Sequence, residues 1–268
     1  MLENITLGQY YPLKSPVHAL DPRVKILLLV AYITAVFLVP DLTGFILITL
    51  YLAVACKLSK LPFRLLIKGL KPLRMILIFT FILNLFFTGG ETALLNLGFA
   101  TLTREGLLNA IRYSLRLIFL VLGSSLLTLT TAPIALTDGL ERLLSPLRVI
   151  HFPAHEMAMM MSIALRFIPT LIEETDKIMN AQKARGADFD TGGLIAKAKA
   201  LLPLLIPLFV SAFRRADELA TAMESRCYHG GDGRTKMKQL SMQRRDWLCF
   251  ALGAVLLAAV ILLRRLGL

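Results

Sequence analysis

Seventeen uncharged residues, Trp247 to Leu263, run almost to the end of the chain, and four other apolar runs precede them at 26–39, 45–56, 73–87 and 111–133. Hydrocarbon offers no partner to backbone N–H and C=O groups, so runs of this kind cross a bilayer as helices. The fold class follows: an all-α membrane protein with about five transmembrane spans. Some runs fall short of the roughly 20 residues a perpendicular span takes, so flanking Leu and Val and snorkelling Lys must complete them. A mean hydropathy of +0.67, with only 18% charged residues, excludes an ordinary soluble domain.

Charge then orients the runs. Lys57, Lys60, Arg64, Lys68, Lys71 and Arg74 occur without one acidic residue between them, which marks this loop as cytoplasmic and, one hairpin earlier, the N-terminus as well. Leu61, Leu65, Leu66 and Leu70 recur there at helical spacing and predict a helix lying at the interface. The net charge of +12 sits beside apolar runs, where topology and anionic lipid account for it; no basic helix or aromatic platform stands apart to bind nucleic acid. Thr88-Gly89-Gly90 and the mixed segment 91–106 read as external. Arg112 and Arg116, at the outer end of the fourth run, fit the charge rule poorly and are expected to face protein or water. Arg264-Arg265 would be a second departure. Asp21-Pro22 predicts a helix start, with the carboxylate accepting a free backbone donor and the proline leaving none unpaired. Residues 1–20 are polar and proline-containing, unlike a cleaved signal peptide.

The character changes after residue 136. Residues 137–246 hold 16 Lys or Arg and 13 Asp or Glu, against 12 and 5 in residues 1–136. Three regions result: 1–136, a membrane region with about four spans; 137–246, a cytoplasmic domain; and 247–268, a final span. Apolar stretches at 155–172 and 201–213 mean that the helices of the middle region start in or near the membrane. Two long helices are expected there, Ala154 to Ala184 and Leu201 to Ser225. In the first, Met157, Met161, Leu165, Ile168 and Ile172 make one face and Arg166, Glu173, Lys177 and Asn180 the other, with Pro169 a kink. Pro203 and Pro207 fall near the start of the second.

Both helices end alike, in Asn180-Ala181-Gln182-Lys183-Ala184-Arg185 and Thr221-Ala222-Met223-Glu224-Ser225-Arg226. Gly186 follows the first, as helix C-termini prefer. One arginine in a last turn is explained by the helix dipole, at roughly 0.3–1 kcal/mol. Two similar tips point to docking, because the planar guanidinium pairs bidentately with carboxylates in an acidic groove. Two tips imply two partner subunits.

Other constellations carry less. Residues 230–236 are rich in glycine, but GxxxxGK[ST] occurs nowhere, so no ATP or other cofactor site is expected. Met157, Met159, Met160 and Met161 read first as adaptable core packing and second as a slippery contact for interchangeable partners. His151 and His155 favour structure over metal, and Glu173, Glu174 and Asp176 a solvated face over catalysis. Cys56, Cys227 and Cys249 have neither disulfide nor zinc spacing. No catalytic constellation lies in a span, so the chain is not read as an enzyme.

The chain resembles the transmembrane T component of energy-coupling factor (ECF) transporters. The likeness runs through Gly8-Gln9-Tyr10, Ser15 to Lys25, Leu165-Arg166-Phe167-Ile168-Pro169 and Ala181 to Gly186. It implies a cell-membrane scaffold whose two long amphipathic coupling helices each dock on one ABC-type ATPase, while a separate S component captures a vitamin or similar micronutrient. The family's Ala-Arg-Gly tip matches at Ala184, Arg185 and Gly186; the second tip reads Ser225, Arg226 and Cys227, keeping only the arginine. ATP and Mg would then bind the partner ATPases. A T-type component dedicated to cobalt or nickel remains an alternative, and a stand-alone secondary transporter a weaker one.

Overall fold

The computed structural model describes residues 10–88, 93–96, 101–187, 189, 193–230 and 240–266. Gly8-Gln9, Gly89-Gly90 and the glycine-rich residues 231–236 lie outside the described residues. The chain falls into two compact units, Gly8–Gly139 with Leu240–Leu268, and Leu140–Gln239.

In the first unit, α1 (Pro22–Leu38) starts where Asp21-Pro22 predicts, with the Asp21 side chain accepting from the Arg23 N–H. It stops at Val39-Pro40, since the residue before a proline is pushed out of the helical region. Then come α2 (Gly44–Ser59), α3 (Phe63–Leu70), a 3-10 turn at Lys71–Leu73 and α4 (Arg74–Phe87). Two short antiparallel strands, β1 (Ala93–Asn96) and β2 (Thr101–Thr103), fall in the segment read as a mixed external stretch. They lead into α5 (Arg104–Thr130), which begins seven residues before the apolar run that predicts it. Thr103 extends that helix by accepting from the Gly106 N–H at 3.1 Å, an N-cap that satisfies a donor apolarity alone does not reveal.

Among the described residues, three helical stretches are long and apolar enough to cross a membrane, Phe63–Phe87, Arg104–Thr130 and Arg244–Arg265, and Gly44–Ser59 is a shorter apolar helix. Apart from the β1–β2 hairpin, the described elements are helical, as the apolar runs require.

The core of this unit gathers α1, α2, α5 and α9 (Arg244–Leu266). Phe45 stacks on Phe119 and Tyr32 on Tyr51, at centroid distances of 5.7 and 5.9 Å. The expected interfacial helix is α3, but its leucines face inward: Leu66 is buried, Leu65 and Leu70 pack against the core, and Leu61, two residues before the helix, is buried as well. Phe63 and Ile67 are the apolar residues it leaves exposed. Arg112 and Arg116 face protein. Arg112 pairs with Asp41 at 2.6 Å and Arg116 donates to the Val39 carbonyl at 3.1 Å, so both bind the α1–α2 turn.

The second unit contains the end of α6 (Pro133–Leu144), a 3-10 segment at Ser145–Ile150, α7 (Ala154–Ala184) and α8 (Leu194–Glu224). The first long helix has the expected bounds. The second starts seven residues before Leu201, and both Pro203 and Pro207 sit inside it. The prolines lie four apart, so their missing donors fall on one face and the helix continues on the other. The methionine cluster is not core: Met157, Met160 and Met161 are exposed, as are Leu201, Leu202, Leu205, Ile206, Phe209, Val210 and Phe213 of α8.

Candidate docking site at two helix ends

The two arginines occupy the same position in the same capping motif. At the end of α7, the Gly186 N–H donates to the Lys183 carbonyl at 2.9 Å and the Ala187 N–H to that of Gln182 at 3.0 Å. Beyond α8, the Cys227 N–H donates to Glu224 at 2.9 Å and the Tyr228 N–H to Met223 at 3.0 Å. Each is a Schellman closure, in which crossed bonds satisfy the last carbonyls around one left-handed residue. That residue is Gly186 at φ +89° in one tip and Cys227 at φ +58° in the other. Arg185 and Arg226 stand immediately before it. Ser225-Arg226-Cys227 is therefore the geometric counterpart of Ala184-Arg185-Gly186, with a cysteine taking the strained conformation that glycine takes freely.

All six residues, Ala184, Arg185, Gly186, Ser225, Arg226 and Cys227, are exposed. Neither guanidinium has a hydrogen-bond or ion-pair partner among the described residues, unlike Arg23, Arg112 and Arg215. A built Cβ on Gly186 would meet nothing within 4 Å, so the glycine serves the backbone rather than a close approach.

The helices that carry the tips are bonded to one another. Arg215 of α8 donates to Glu174 of α7 at 2.8 Å. The Ser211 hydroxyl, and after it Arg215, hold the Glu174 carboxyl below its ordinary range against the opposing effect of burial. Arg185 lies 11 residues beyond Glu174 and Arg226 11 beyond Arg215, which places each tip about 16 Å along its helix from the bonded pair. Equal arms from one crossing are a geometry the sequence pattern did not contain, because Glu174 reads there as one carboxylate of a solvated face.

The other candidates find structural roles. His155 Nδ1 lies 3.0 Å from Glu141, His151 is the left-handed residue closing the 3-10 segment, and no cluster of metal-ligating side chains occurs among the described residues. The cysteines are unpaired thiols. One buried acid carries no signal in the sequence pattern: Asp246, in the first turn of α9, accepts from the Asp21 N–H at 2.9 Å and the Gln243 N–H at 2.7 Å.

Fold and site define a polytopic helical membrane protein with a separate, charged two-helix unit presenting two arginine tips. The profile of the cobalt transport protein family, CbiQ, matches residues 13–237. The energy-coupling factor transporter transmembrane protein EcfT of Clostridium kluyveri is 54% identical over 265 residues, 98% of each chain. Its counterparts in Heliobacterium modesticaldum and Lactococcus lactis are 56% and 47% identical over 247 residues, covering 92% of this chain and 92% and 93% of their own. The chain belongs to the CbiQ family and is a transmembrane component of energy-coupling factor type transport.

Proposed function

We propose that this chain is the membrane scaffold of an ECF-type importer, with Arg185 and Arg226 each docking on one of two ABC-type ATPase subunits. The reading rests on the matched tips: the same cap, the same exposed arginine with no partner among the described residues, and equal arms from one ion pair. A rigid pair of helices with two such ends can register a change in the separation of two attached motors. Nucleotide state would bias that separation, and the coupling is a free energy between the ATPases and whatever the helices touch at their other ends. The exposed apolar surface of α7 and α8 suits a membrane-embedded partner, here an S component that binds the vitamin or micronutrient. ATP and Mg belong to the ATPases, so this chain is not itself an enzyme. The topology that goes with this reading has five spans, α1 and α2 included, and a cytoplasmic N-terminus, with residues 137–246 as the cytoplasmic coupling domain.

The test is co-purification and uptake with the double variant Arg185→Glu, Arg226→Glu. Hydrogen bonds to charged groups contribute about 1.5–3 kcal/mol each, so ATPase recovery and substrate uptake should fall at least about tenfold. Wild-type recovery and uptake would exclude docking by these tips. A second reading, a component dedicated to cobalt or nickel, is favoured by the description of the matched family; ATP-driven uptake of radiolabelled Co²⁺ in the absence of any vitamin-binding subunit would select it.

A further inference from the structure

A half-open cleft of about 360 Å³ lies between α2 and α9, floored by α1 and the end of α5, with an almost wholly carbon lining. We infer that this cleft holds one acyl chain of an anionic phospholipid whose phosphate is met by Lys57 and Arg245. The site plays no part in the docking reading and stands or falls independently of it.

The length of the cleft points to an acyl chain. Its lining runs from Leu47 to Leu58 on α2 and from Cys249 to Ala259 on α9, about 16 and 15 Å of helix. One leaflet of a bilayer with a hydrocarbon core of about 30 Å is about 15 Å deep. The cleft therefore spans one leaflet, whereas a docked transmembrane helix would need a groove twice as long.

Charge complementarity points to an anionic headgroup. Asp21 at the start of α1 bonds Asp246 at the start of α9, and a Cβ on Gly253 would touch Leu28, so these helices run parallel. The α1–α2 turn and the Tyr32–Tyr51 stack make α2 antiparallel to them. The end of α2 and the start of α9 thus lie at the same end of the cleft. On α2 the lining face Leu50–Val54 continues at helical spacing to Lys57; on α9 the face Leu252–Cys249 continues to Arg245. Both cations are exposed and unpartnered among the described residues. Lys25, the one cation in the lining, is already committed to the His18 and Thr130 carbonyls and the Thr131 hydroxyl, which leaves Lys57 and Arg245 for a phosphate.

The test uses the full-length chain purified from the membrane, delipidated and returned to bilayer nanodiscs containing equal phosphatidylglycerol and phosphatidylcholine, with retained lipid read by native mass spectrometry after release into detergent. Wild type should retain one phosphatidylglycerol in preference to phosphatidylcholine. Each basic residue near the headgroup contributes about fivefold in affinity, so Lys57→Ala and Arg245→Ala should each lower that preference about fivefold. Leu252→Trp, which fills the cleft, should abolish retention of either lipid while leaving helical circular dichroism unchanged. No retained lipid in wild type, retention without a headgroup preference, or full retention in a folded Leu252→Trp protein would each overturn the proposal.

Discussion

Cys227 shows how one backbone angle relates two tips that differ in sequence. A side-chain-bearing residue in the left-handed region costs roughly 1–2 kcal/mol, so Cys227 at φ +58° stores strain that Gly186 at φ +89° does not. Cys227→Gly should therefore raise thermal stability in detergent by about 0.5–1 kcal/mol, and Gly186→Ala should lower it by about 1 kcal/mol. Both substitutions leave the arginines in place, so unfolding monitored by circular dichroism reads the cap alone. A Cys227→Gly protein no more stable than wild type would mean that the second tip is not closed by this motif. The arginines and Gly186 were legible because their residue types announce them. The equivalence of Cys227 was not, since cysteine carries no preference for positive φ and only the crossed hydrogen bonds define its role.

Among the elements, apolar periodicity located the helices but not what covers them. The leucines of α3 recur as an interfacial helix would have them, yet they pack on the core, while Met157, Met160 and Met161 of α7, read first as core, are exposed. Pattern gives the direction of a face; tertiary neighbours decide its partner. Close approach of two helices is likewise silent in the pattern. On α5, Gly123 sits against the ring of Tyr32 of α1, whose hydroxyl is fixed by a 3.0 Å bond to the Phe119 carbonyl and whose ring stacks on Tyr51. A Cβ at 123 would collide with a ring that cannot swing away. Gly123→Ala should destabilise the protein by about 1–3 kcal/mol, although alanine is the better helix former by about 1 kcal/mol. The measurement is again thermal unfolding; a stabilised variant would show that α1 and α5 can separate without loss.

At the scale of the molecule, the first unit is built from two lengths of chain far apart in sequence, and Asp246 joins them. Its bond to the Asp21 N–H links positions 225 apart, a contact no local signal foretells. Closing so long a loop costs entropy, which the packing of α1 on α9 must exceed, and the joint is polar: Asp246 is 2% exposed and both its oxygens accept backbone donors. Asp246→Ala should strand those donors, at about 1–3 kcal/mol each, and Asp246→Asn, which keeps one acceptor oxygen, should cost less. Beside this joint, the Asp21 side chain makes stability depend on pH through its own bonds to Arg23. Burial would raise the Asp21 carboxyl, but the Arg23 side-chain bond and the Arg23 N–H outweigh it and hold it below its ordinary 3.8. The folded chain therefore binds this proton less readily than the unfolded chain. The contribution is complete above 3.8 and is lost as pH falls below it. Thermal unfolding in detergent should show this contribution unchanged between pH 7 and about pH 5, and lost progressively below about pH 4. In Arg23→Ala, where the carboxylate has lost its partner, the acid-side fall should be shallower; an equally steep fall in that variant would assign the transition to another carboxylate.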